Sequence, residues 1–122
     1  MFIIRKQFHF SASHVLDHLP PDHQCSRLHG HNYIAEIVLK GNRVDENGFV
    51  IDYLDLRPLK QYIDDSLDHR HLNDVLPFMT SAENIAKHLF EWAKARWPET
   101  IGMRVSETPK TWAEYWESEW IR

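Results

Sequence analysis

The sequence predicts an α+β domain: an antiparallel sheet with both helices on one face. Three observations carry this. Polarity alternates along segments at both ends of the chain, and two segments of helical period lie between them. The 122 residues contain no linker, internal repeat or low-complexity stretch, so residues 1–122 read as a single domain.

The elements follow in order. From Phe2 to His14 the residues alternate, and Ile4, Phe8, Phe10, Ala12 and His14 share one face of a strand. Val15 to Leu28 holds Pro20, Pro21, Asp22 and Ser26 and reads as a loop. A second strand runs from about His29 to Lys40, with His29, His31, Tyr33, Ala35, Ile37 and Leu39 on one side. A turn region covers Gly41 to Gly48. A helix starts near Asp52 or Asp55, either of which fits as its cap, and buries Leu56, Leu59, Ile63 and Leu67. Pro58 is tolerated in its first turn. The segment LDHRHLND, Leu67 to Asp74, is polar and reads as a loop. Thr80 and Glu83 have capping-box spacing and open the second helix, with Ile85, Leu89 and Trp92 as its buried stripe and Pro98 as its stop. Two strands close the chain. The first carries Ile101, Met103, Val105 and Glu107 on one face, the second Trp112, Trp116 and Trp120.

Composition narrows the function. The net charge of -4 provides no basic footprint for nucleic acid. No apolar run is long enough to span a membrane. The opening residues read as a strand, so no signal peptide is expected. One cysteine forms no internal disulfide, which fits a cytoplasmic, reducing setting. Five tryptophans are many for this length, and their stripe reads as core or subunit interface. Nine histidines are unusual, and six lie between His9 and His31.

His29 and His31, two apart on a strand, point the same way. If the first two strands pair through the intervening loop, His14 joins them. Three imidazoles with an open fourth position form the usual catalytic zinc arrangement. Taken singly, each reads first as a hydrogen-bonded or exposed histidine, and it is the convergence of three that points to a metal. Cys25 stands four residues before His29 with Arg27 nearby. It is an inert small hydrophobe, a reactive thiol, or a fourth ligand closing a structural His3Cys site without chemistry. Asp68 beside His69 has the makings of a carboxylate that orients an imidazole. Glu107 ends an apolar parity, at the solvent edge or as an anchor for a planar N–C–N group.

FHFSASH, CSRLHGHNY, GFVIDYLDLRPLK, LDHRHLN, SAENIA and VSET, in this order and spacing, resemble the 6-pyruvoyl-tetrahydropterin synthase family over nearly the whole chain. The short distance from Cys25 to His29 resembles the bacterial branch, the 6-carboxy-tetrahydropterin synthases of queuosine biosynthesis. The resemblance implies the tunnelling fold: a four-stranded antiparallel sheet with two helices on one side, three subunits closing a barrel, and trimers stacking into hexamers with active sites between subunits. It implies Zn2+ on His14, His29 and His31, Cys25 as catalytic base, and Asp68 with His69 as proton relay. It implies Glu107 as pterin anchor, and 7,8-dihydroneopterin triphosphate as substrate. Thr80 and Ser81 stand where the family usually carries Pro-Thr. The hydroxyl that would reach the pterin is kept at Ser81, and the fixed proline turn is not. Arg5, Lys6, Arg27, Arg70 and Lys110 are candidates for holding the triphosphate.

Overall fold

Alternation along Phe2–His14 and His29–Gly41 produces strands β1 and β2 in a computed structural model that describes residues 1–118. They pair antiparallel without a break, from Phe2↔Gly41 to His14↔His29. Directly opposed residues share a face, so this register puts Phe8, Phe10, Ala12 and His14 with Tyr33, Ala35, Ile37 and Leu39. All eight are buried, and this is the face the helices cover.

Asp52 caps a 3-10 turn, Tyr53–Leu56, by accepting from Leu54 N at 2.9 Å. The first α-helix, α1, then spans Arg57–Ser66 with Pro58 in its first turn, so neither Asp52 nor Asp55 caps the helix itself. Leu56, Leu59, Ile63 and Leu67 are all fully buried, as their spacing requires.

The polar segment LDHRHLND is more ordered than a loop. Arg70–His71 form a short strand, β3, and Leu72–Val75 a single helical turn, α2. β3 runs parallel to β1, so the sheet has five strands in the order β3-β1-β2 and then the two C-terminal strands, rather than four antiparallel ones. Hydrogen bonds at Ser11 explain the addition. Its N–H donates to Asp68 Oδ1 at 2.8 Å, and its carbonyl accepts from His69 N at 2.6 Å, which draws this turn onto the free edge of β1.

The long helix α3 spans Ala82–Lys94 and buries Ile85, Leu89 and Phe90, while Trp92 is only partly buried. Its N-cap is Ser81, not Thr80: Ser81 Oγ accepts from Asn84 N at 3.3 Å. It ends at Lys94, ahead of Pro98, with Glu83 in the first turn and Lys94 in the last complementing the helix dipole. β4, Thr100–Thr108, pairs antiparallel with β2, and β5, Thr111–Trp116, pairs antiparallel with β4.

The sheet's other face is polar. Buried Glu36 accepts from Arg104 at 2.7 Å, Gln7 at 3.0 Å and Arg5 at 3.2 Å. Ala113 and Tyr115 pack on the core, so Trp112 and Trp116 lie on this opposite face with Glu114. The core half of the tryptophan expectation therefore fails for these two, and Trp120 lies outside the described residues.

Candidate active site and metal centre

β1 ends where β2 begins, so the pairing of His14 with His29 follows from the register alone. His31, two residues on, shares their face. The three rings sit edge to face with centroids 4.5–5.2 Å apart. One ring nitrogen from each lies within 4.8 Å of the others, in a group that does not include Cys25.

Two of these imidazoles have a fixed tautomer. His14 Nδ1 is 2.8 Å from the Thr80 carbonyl, and His29 Nδ1 is 2.7 Å from the Arg27 carbonyl. A carbonyl only accepts, so each Nδ1 carries the proton and each Nε2 presents a lone pair. His14 Nε2 is buried without a hydrogen-bond partner. Burial pushes His14 and His31 below the ordinary histidine value, and the neighbouring imidazoles add to this against the opposing charge of Glu107. Three imidazoles, one with an unsatisfied buried nitrogen and two with outer nitrogens already committed, fit a zinc ion.

Glu107 enters this cluster directly. Its Oε2 lies 2.8 Å from His31 Nε2, close enough for an ion pair though not aligned as a hydrogen bond, and 3.7 Å from His14 Nε2. Tyr33 lies beside it, fully buried and stacked on Phe10 at 4.7 Å, with its hydroxyl unpartnered. Burial, with the charge of Glu107 as a second cause, raises the Tyr33 phenol above its usual value.

The remaining expected residues are placed as follows. Cys25 lies in a 3-10 turn, Gln24–Ser26. Its N–H donates to His23 Nδ1 at 3.0 Å, and its carbonyl accepts from Leu16 N at 2.9 Å, which ties it to the chain just past His14. Asp68 Oδ2 is 2.9 Å from His69 Nδ1, so the carboxylate–imidazole pair forms. The bond from Ser11 N, then the contact with His69, holds Asp68 below the usual carboxylate range. His69 is in the left-handed region (φ 59), alone among the described non-glycine residues, and its side chain is 82% exposed. Ser81 faces its own helix as a cap, and Arg27 serves the cluster through its carbonyl.

Sequence reasoning missed two supporting residues. Thr80 is fully buried, with its carbonyl and, at 3.2 Å, its hydroxyl against His14 Nδ1. Asn73 clamps the peptide after His14, accepting from Val15 N and donating to Val15 O, both at 2.9 Å. Neither carries a local signal, because both act across more than fifty residues of sequence.

An α+β sheet carrying a histidine cluster fit for a metal, with a carboxylate beside it and a carboxylate–imidazole pair on the neighbouring edge, has the groups for metal-assisted acid–base chemistry on a small molecule. More specifically, the chain belongs to the 6-pyruvoyl tetrahydropterin synthase family, whose profile matches residues 3–118. It is 34% identical over 122 residues to the 6-carboxy-5,6,7,8-tetrahydropterin synthase of Synechocystis, covering 94% of this chain and 93% of that protein. It is 32% identical to the Haemophilus influenzae protein of the same name, covering 96% and 100%. The 6-pyruvoyl tetrahydropterin synthase of Caenorhabditis elegans superposes with a TM-score of 0.83 at 28% identity over 95% of each chain.

Proposed function

We propose that the chain is a zinc-dependent 6-carboxy-5,6,7,8-tetrahydropterin synthase. It would convert 7,8-dihydroneopterin triphosphate to 6-carboxytetrahydropterin with loss of triphosphate and acetaldehyde, in queuosine or another 7-deazapurine pathway. The observation that carries this reading is the trio of imidazoles, two of them with outer nitrogens committed to backbone carbonyls, in a chain whose relatives, matched over most of their length, bear that name.

His14, His29 and His31 would hold the metal. Zinc there would supply Lewis acidity toward the substrate's side-chain hydroxyls. Cys25 serves as the base that moves the side-chain proton, and its tie to Leu16 supports this role by fixing the turn near His14. His69, oriented by Asp68, handles the proton on the other face. Glu107 would accept from the N–H groups of the pterin amidine; the Ser81 hydroxyl would also reach the pterin, in addition to its place as the cap of α3. If His31 Nε2 holds the metal it would no longer compete for Glu107 Oε2, now 2.8 Å away, and the carboxylate would be left for the ring. Arg27 would contact the triphosphate. The working unit is a homo-oligomer, trimer or hexamer, with sites between subunits.

Mass spectrometry of the products from 7,8-dihydroneopterin triphosphate tests the reaction. The expected product is 6-carboxytetrahydropterin with acetaldehyde. A 6-pyruvoyl product or simple side-chain loss would move the assignment to a sister activity, and no consumption would end it. Cys25→Ala should keep zinc and lose nearly all turnover. Loss of zinc in that variant would instead mark a structural His3Cys site, a reading the three-histidine grouping does not favour. Metal analysis should find His29→Ala and His31→Ala depleted of zinc, since each removes one of three protein ligands. Full occupancy in either would overturn the ligand set.

A further inference from the structure

We propose that Asn73 is the positioning residue for the turn that carries Cys25; the role given to the thiol rests on the reaction proposed above. Strand pairing stops just short of this point. On one side of β1 it ends at His14↔His29, and on the other at Ser13↔His71. The N–H and C=O of Val15, one residue on, therefore have no strand partner. The Asn73 carboxamide takes the place of one: Oδ1 accepts from Val15 N and Nδ2 donates to Val15 O, both at 2.9 Å. A carboxamide offers an acceptor and donors side by side, as a peptide group does, and only one orientation of it satisfies both bonds.

What this clamp anchors is the loop of Cys25. Leu16 N donates to Cys25 O at 2.9 Å, which closes the loop directly beyond the clamped residue. Among the described residues, the other hydrogen bonds of residues 16–28 stay within residues 16–29. None of residues 16–28 is fully buried, so packing gives the loop little hold of its own. Asn73, by contrast, sits in α2 next to Leu72, which is fully buried. The same stretch of chain, residues 68–80, carries His69 of the relay and Thr80, whose carbonyl faces His14 Nδ1. One bracket thus holds His69, His14 and, through Asn73, the turn of Cys25, so both proton-moving groups keep a set relation to the imidazoles. A shift of about 1 Å in a reacting group can cost on the order of a hundredfold in rate. A clamp that only stabilised the sheet edge would leave Cys25 unaffected, and that difference sets the test.

The test compares the zinc-loaded parent with Asn73→Leu, which keeps the volume and removes both bonds. Cys25 is the only cysteine, so iodoacetamide reports on it alone. Alkylation should run about tenfold faster in the variant, and the Leu16 amide should exchange with solvent about tenfold faster by NMR, because both follow local opening of the loop. With 7,8-dihydroneopterin triphosphate, kcat should fall about tenfold or more while KM stays within about threefold, since no binding contact is removed. Zinc content should match the parent, because His14 keeps Thr80 and its partner on β2. Asn73→Asp retains the acceptor for Val15 N and loses the donor to Val15 O. It should fall between parent and Asn73→Leu, and it carries the comparison if Asn73→Leu does not fold. Unchanged alkylation and exchange overturn the proposal, as does loss of zinc, which would place the role at His14. Faster alkylation with unchanged kcat overturns it while leaving the reaction intact. Faster alkylation and exchange, with a parent that turns nothing over, keep the clamp and reject the reaction.

Discussion

Thr80 and Tyr33 show how much of the site depends on single atoms. Thr80 and Arg27 do the same work for different histidines: a backbone carbonyl holds Nδ1–H, so Nε2 faces inward. At Thr80 the hydroxyl adds a second acceptor, which the usual proline of this family would lack. Tyr33 is the opposite case, a buried hydroxyl without a partner among the described residues. Such a group costs about 1–3 kcal/mol unless something accepts from it. Tyr33→Phe removes that hydroxyl and keeps the stacked ring on Phe10. Chemical denaturation of the metal-free protein should therefore show Tyr33→Phe at least as stable as the parent. A loss of more than about 1 kcal/mol would mean that the hydroxyl has an acceptor within the fold.

The strands carry a second charged group on their uncovered face. Glu36 of β2 ties together Arg5 of β1 and Arg104 of β4, so one carboxylate links three strands. Arg104 in turn contacts Glu114 at 2.9 Å and lies 4.3 Å from the Trp112 ring centroid, which extends the link to β5. Burial alone would raise the Glu36 pKa, but hydrogen bonds from Arg104, Gln7 and Arg5 outweigh it and hold the carboxyl below its ordinary range. A carboxyl with a depressed native pKa binds protons more readily when unfolded. Its contribution is thus complete above the unfolded value, about 4.3, and is lost as pH falls through the lower native value. Stability measured from pH 6 down to pH 3 should fall less steeply in Glu36→Gln than in the parent, because the variant has no charge to lose at this position. Parallel pH profiles for the two proteins would show that Glu36 is not held as an anion.

Across the whole molecule, what the sequence revealed was what depends on near neighbours. Parity alone put His14, His29 and His31 on the core face with Phe10 and Tyr33, and helical spacing found Leu59, Ile63, Ile85 and Leu89. The misses came from distant partners: β3 exists because Ser11 captures a turn 57 residues away, and Thr80 looked like a cap because its link to His14 spans 66. Subunit contacts are the extreme case of the same limit, and the sheet's edges speak to them. Among the described residues β5 ends the sheet on one side, and on the other β3 covers β1 only at Ala12 and Ser13, leaving β1 from Phe2 to Phe10 without a strand beyond it. Met1, Phe2 and Ile3 are exposed at the start of that edge. Open edges of this length invite pairing, and four long strands are too few to close on themselves, since small barrels take about eight. A ring of copies, β5 of one against β1 of the next, would satisfy both edges at once. Light scattering across a hundredfold range of protein concentration should then give an integral multiple of the chain mass, three or six. A monomer mass throughout would leave both edges bare in solution, and the proposed placement of sites between subunits would fall with it.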